Sequence, residues 1–261
     1  MDPERLCAQL AAYVAGPEPD FPESEPRLAR LRDALARLRP PPAALRPLVG
    51  PRGAAEEVDR SVLKRDSVAL CVVDSLILRH LAGGEAPAPL LDVVVEAGLH
   101  FSFDPLYGEA HTRTGEEVCD FLSRTPATPD TAAALERHLE PLLRRWRARV
   151  TDKSTSTLSG IVLRHLGPAG GLRLFEEWDG MREDERVDLV ERAGREEAPP
   201  AALLARLAEA VLDASYDVRA SALRALGRRG APVEGLHPSL PEAELRRGLG
   251  PVLRWIEETR S

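Results

Sequence analysis

One short motif recurs along the chain and restricts what it can fold into. Leu78-Arg79-His80-Leu81-Ala82-Gly83 returns 85 residues later as Leu163-Arg164-His165-Leu166-Gly167, and 60 residues after that as Leu223-Arg224-Ala225-Leu226-Gly227. Each copy closes a helical stretch, with glycine placed to take the left-handed conformation of a C-terminal cap. One amphipathic helical hairpin cannot bury both of its faces, so repeated hairpins stack and share a continuous core. The alignment predicts that Leu78, Leu163 and Leu223 are buried at equivalent positions. Spacings of this size accommodate roughly two hairpins between successive copies.

Periodicity elsewhere agrees with an all-α chain. Asp2-Pro3 reads as a cap and first helical residue, followed by Leu6, Leu10, Tyr13 and Val14. Residues 16–26 carry four prolines and four carboxylates and read as an acidic, proline-rich arm, with a second helix starting near Pro26. Leu28, Leu31, Leu35 and Leu38 stripe that helix, and Pro40-Pro41-Pro42 stops it. Further helices are expected from Glu56 to about Lys64, from Asp66 to Gly83, and from Pro89 to Gly98. The Val93-Val94-Val95 run is phased with Leu91 as helix rather than strand. Helices then follow at about 115–124, 130–149, 158–166, 169–178, 183–194, 199–212, 217–228 and 241–258. No segment alternates as a strand does, and the chain has no Asn to build an Asn-Gly hairpin. Aromatics make up only 4% of residues, so the core must be packed from aliphatic helix stripes.

The third copy extends into a larger pattern. Residues 203–230 form two amphipathic stretches joined at Asp213-Ala214-Ser215-Tyr216-Asp217. The first is striped by Leu203, Leu204, Leu207 and Val211. Asp217-Val218-Arg219 opens the second, which continues through Ala222, Leu223, Leu226 and Gly227. This segment resembles a HEAT repeat. The resemblance implies a HEAT-like α-solenoid of stacked hairpins over residues 56–261, preceded at 1–55 by an N-terminal helix and the acidic arm. It also implies that Asp217 and Arg219 form part of a structural ladder between repeats. The function implied is non-enzymatic: a cytoplasmic scaffold or adaptor that binds a protein partner along the repeat surface.

Charge and cysteine content narrow the alternatives. A net charge of −7 offers no global basic field for nucleic acid or anionic lipid. Cys7, Cys71 and Cys119 are far apart, without a CxxC or zinc-finger spacing, so neither a metal nor a cofactor is expected. The longest apolar run, Val68 to Val73, is too short to span a bilayer.

Two segments stand out as candidate partner-binding sites. Arg144, Arg145, Arg147 and Arg149 surround Trp146, a basic patch with an interleaved aromatic that also suits a helix C-terminus. Phe101, Phe103 and Tyr107 concentrate aromatics in the 99–113 segment, as an anchor for a partner or a plug on the helical stack. The alternative function, a HEAT-like DNA-binding protein or alkylpurine DNA glycosylase, would draw on Trp146, Asp152, Trp178 and Asp179. The acidic balance argues against it. The sign of charge on the concave face separates the two: basic for nucleic acid, acidic or apolar for a protein.

Overall fold

A computed structural model describes residues 2–15, 21–49, 61–102, 113–147 and 155–259, with backbone alone at 21–25, 61–64, 101–102, 145–147 and 155–157. Among these residues every regular element is helical and none is a strand. Among the described residues no helix is long and apolar enough to cross a membrane. The chain divides into two compact units, residues 1–154 and 155–261.

The first unit contains α1 (Pro3–Ala15), α2 (Phe21–Leu38), α3 (Pro42–Val49), α4 (Ser61–Ala82), α5 (Pro87–Ser102), α6 (Arg113–Arg124) and α7 (Pro129–Arg147). The Asp2 carboxylate accepts from the Arg5 backbone N–H at 2.7 Å, which caps α1 as its sequence predicts. α2, α4 and α6 lie side by side, and so do α3, α5 and α7. Side-chain contacts give the direction. Arg79, late in α4, donates to the carbonyl of Pro40 just past α2. Asp66, early in α4, accepts from the backbone N–H groups of Arg113 and Thr114 at the start of α6. His80 meets Phe121 edge-on at 5.8 Å. α2, α4 and α6 therefore run the same way, with buried Leu35, Val72, Leu76, Leu91, Val94, Leu135 and Leu139 among the core. Three side-chain contacts in this unit, Arg39 to Glu85, Arg46 to Asp92 and Asp92 to His138, each join residues 46 apart.

The second unit contains α8 (Thr155–Phe175), α9 (Glu183–Ala193), α10 (Ala201–Ala210), α11 (Tyr216–Arg228), α12 (Glu242–Gly248) and α13 (Gly250–Glu258). α8 is broken at Gly167 (φ 58°), a conformation that suits glycine, and Pro168 starts its second arm. α9 packs between α8 and α11, while α10 packs on α8, α11 and α13. Ser159 bonds Asp188, and Ser221 and Arg224 reach Glu191, so polar contacts between neighbouring helices join residues about 30 apart. Leu174, Leu189, Val190, Leu203, Leu207, Val218 and Leu226 form its core.

Several expectations are corrected. Leu163 and Leu223 are buried, but Leu78 is 63% exposed and Leu81 68% exposed. In the first copy Ile77 and Arg79 are buried instead, so that helix is rotated by about one residue relative to the letter alignment. The cause is tertiary: Arg79 turns inward to bond Pro40 and Glu85, which leaves Leu78 facing out. Gly83 and Gly167 take positive φ as caps, whereas Gly227 lies inside α11 and Gly230 (φ 80°) takes that role. α5 does not stop at Gly98. A Cβ there would lie 2.6 Å from the Val118 side chain, so this glycine serves close packing of α5 on α6. α2 starts at Phe21, with Pro26 in its interior, so helix replaces the second half of the expected arm; residues 16–20 lie outside the described residues. α4 runs unbroken through Lys64 and Arg65, because Asp66 caps α6 rather than starting a helix of its own.

Candidate functional site

The second unit carries an open groove of about 530 Å³ at the ends of α8 and α10. One wall is the last turn of α8 with the following 3-10 turn: Phe175, Glu176, Trp178 and Asp179. The other is the end of α10 and the turn beyond it, from Arg206 and Glu209 to Asp213 and Ala214. Local sequence explains both walls. α8 ends where Glu176, Glu177 and the 3-10 turn Trp178–Gly180 take over. α10 ends at Ala210, and the Asp213 carboxylate accepts from the Ser215 N–H at 2.8 Å while Ser215 caps α11.

The aromatic wall is fixed from within. Trp178 stacks on Phe175 with ring centroids 5.3 Å apart and planes within 17°. The Arg186 guanidinium lies 5.8 Å from the Trp178 ring centroid, and its Nε sits 3.3 Å from Asp213 Oδ2. Arg186 Nε is buried without an aligned hydrogen bond, so its tie to Asp213 is one of charge rather than a directed bond. This internal network joins the two walls and sets the groove's width.

The groove is acidic. Glu176, Asp179, Glu209 and Asp213 line it, and Arg206 is the one cation in its lining, held by Glu209 at 2.8 Å. Glu176 is 3.6 Å from Arg173. Asp179 is exposed and has no ion-pair partner among the described residues. Two helix C-termini, each carrying the negative end of its macrodipole, converge on the same space. Carboxylates and helix ends together make the groove attractive to a cation and repellent to phosphate.

No protein-family model, curated protein or solved structure matches the chain. Its site is therefore defined by geometry alone.

Of the residues singled out in the sequence, Trp178 and Asp179 line this groove. Arg144 is an exposed residue in the last turns of α7. The side chains of Arg145, Trp146 and Arg147 lie outside the described residues, as do Arg149 and Asp152. The same holds for the Phe101 side chain and for Phe103 and Tyr107. Of the glycosylase set, Trp178 and Asp179 do line the groove, but among carboxylates rather than in a basic cleft. Arg219 donates to the carbonyls of Pro238 (2.6 Å), Asp213 (2.7 Å) and Ala214 (2.9 Å), a structural clamp under the groove's far wall. Sequence reading missed Glu176, Glu209 and Asp213. Their signal was legible: carboxylates in or after the last turn of a helix oppose the macrodipole, which favours cations there.

A second polar cluster, in the first unit, is structural. Asp92 on α5 is bound by Arg46 of α3 and by Arg137 (2.8 Å) and His138 (3.1 Å) of α7. Arg46 Nε also lies 2.9 Å from Glu96, close in charge but not aligned as a hydrogen bond. Burial alone would raise the Asp92 carboxyl, yet hydrogen bonds and charge from Arg137 and His138 outweigh it and hold it below its ordinary value. Among the described residues no group of three His, Cys, Asp or Glu is placed to hold a metal ion.

Proposed function

We propose that the chain is a non-enzymatic adaptor built as a HEAT-like α-solenoid, whose second unit binds a basic segment of a protein partner. The acidic groove between α8 and α10 carries this reading. Side-by-side ranks of helices and the three contacts joining residues 46 apart in the first unit support the repeat architecture, since hairpin repeats of this family length stack that way. Asp179, the exposed carboxylate of the groove that is unpaired among the described residues, and the two helix C-termini favour a lysine- or arginine-bearing chain, while Glu176, Glu209 and Asp213 are already paired with Arg173, Arg206 and Arg186. The same field disfavours nucleic acid, which needs a run of cations to displace its counterions. A cytosolic setting suits three cysteines that are all free thiols.

Titration with peptides tests the reading. A lysine- and arginine-rich peptide should bind with salt-sensitive affinity, and an acidic peptide should not. Replacing Asp179 and Glu209 by Lys should weaken binding at least about tenfold, because rim charges govern encounter and like charges repel. Salt-sensitive binding of duplex DNA that is lost on replacing Arg144, Arg145, Arg147 and Arg149 by Ala would sink the adaptor reading in favour of a nucleic-acid function.

A further inference from the structure

The four carboxylates of the groove are not equivalent. Asp213 is engaged by the fold: one oxygen accepts from the Ser215 N–H at 2.8 Å, the other lies 3.3 Å from Arg186 Nε, and its side chain is only 6% exposed. Glu209 accepts from Arg206 at 2.8 Å on the same helix, and Glu176 lies 3.6 Å from Arg173. Each of these acids has an arginine of its own, so an incoming cation must compete with a guanidinium already in place. Asp179 differs. It is exposed on the 3-10 turn, and no ion-pair partner reaches it among the described residues. The negative ends of α8 and α10 converge on the same space and reinforce its charge.

Apolar surface enters the groove from both walls. Trp178 is half-buried beside Asp179, and half-buried Leu212 and exposed Ala214 line the opposite wall beyond α10. Trp178 is held in place, stacked on Phe175 at 5.3 Å with the Arg186 guanidinium 5.8 Å from its centroid. A side chain fixed in this way loses little freedom when a ligand packs on it. The volume, about 530 Å³, falls within the roughly 300–1,000 Å³ of clefts that enclose small ligands. It has room for a few side chains of a partner and not for a long charged run.

We propose that the partner enters the groove through one lysine or arginine with an apolar residue next to it in sequence, not through a polybasic stretch. This rests on the adaptor reading and specifies the chemistry of its partner. The cation pairs with Asp179, and its apolar neighbour packs on Trp178 and Leu212. An exposed ion pair contributes little by itself, so the charge orients the segment and apolar contact supplies most of the affinity. Further cations gain nothing inside the groove, because beyond Asp179 they meet acids already answered by arginine.

Short blocked peptides in a glycine-serine background, titrated into the full chain, test this. One carries a single lysine followed by leucine, and another carries several lysines and the same leucine. The readout is the indole N–H resonance of Trp178, assigned with Trp178→Phe, which separates binding in the groove from general attraction to a chain of net charge −7. The single-lysine peptide should bind within about threefold of the polylysine one. Asp179→Asn should weaken it about fivefold, while Glu176→Gln and Glu209→Gln should each change it less than about twofold. A peptide with methionine in place of lysine should bind equally to wild type and Asp179→Asn, since only partnered groups are coupled. Glycine in place of leucine should weaken binding about tenfold. Affinity that climbs with every added lysine, equal losses from Asp179→Asn and Glu209→Gln, or indifference to the leucine would each overturn this inference and leave the adaptor reading standing. Failure of every basic peptide to bind would overturn both.

Discussion

Asp92 draws charge from two flanking helices, and its environment makes a pH prediction. Its folded-state value lies below the ordinary one, so its contribution to stability is present above the unfolded value of about 3.9 and is lost as pH falls through the folded value. Asp92→Asn should cost about 1.5–3 kcal/mol at pH 7, the range for hydrogen bonds to charged groups. Denaturant melts at pH 7 and pH 3 should show that difference shrinking in acid; a difference that does not change with pH would mean the Asp92 cluster contributes nothing through ionisation. Cys71 tests burial instead. Burial, reinforced by the Asp74 charge, pushes its thiol up to about 11, so almost no thiolate exists at neutral pH. Iodoacetamide at pH 8 should leave Cys71 unlabelled in the folded chain and label it in denaturant, with mass spectrometry of peptides as the readout.

Among helices, rotation about the axis matters more than position along it. α4 and α8 share the letters Leu-Arg-His-Leu, yet α4 buries Arg79 where α8 exposes Arg164. Arg79 is drawn inward by three acceptors: two oxygens of Glu85 and the carbonyl of Pro40. That pull costs the exposure of two leucines. Ile77→Ala should therefore destabilise by about 2–5 kcal/mol, as core truncations do. Leu78→Ala should stay within about 0.5 kcal/mol, because Leu78 is largely in solvent. If Leu78→Ala proved the costlier change, the rotation of α4 would be wrong and the letter alignment right.

Across the whole molecule, each compact unit has its own set of side-chain contacts: those of Asp92 span 45–46 residues in the first, and those of Asp188 and Glu191 span 29–33 in the second. The second has its own core, from Leu174 and Leu189 to Val252 and Ile256, and contains its groove entirely. A domain with its own core can fold alone. Residues 155–261 expressed separately should keep their helical signal and unfold in a single cooperative transition with the groove's peptide affinity intact. A fragment that is helical but melts without a transition would show that its core needs the first unit.

Helix content, the absence of strand signals and most apolar stripes were legible in the sequence, because side chains at 3.6-residue spacing declare a buried face wherever the helix forms. The Asp2 cap, the break at Gly167 and the buried Leu163 and Leu223 follow from local rules of that kind. Trp178 and Asp179 were noted by residue type, but not that they border a groove with Glu209 and Asp213, which lie some thirty residues further along. Proximity across that distance is set by how α8 and α10 pack, and no periodicity encodes it. The run of α5 through Gly98 and the outward turn of Leu78 also depended on partners far away in the chain. Local pattern determines which segments become helices; packing and buried charge decide which way each helix faces, and with it which side chains are left for binding.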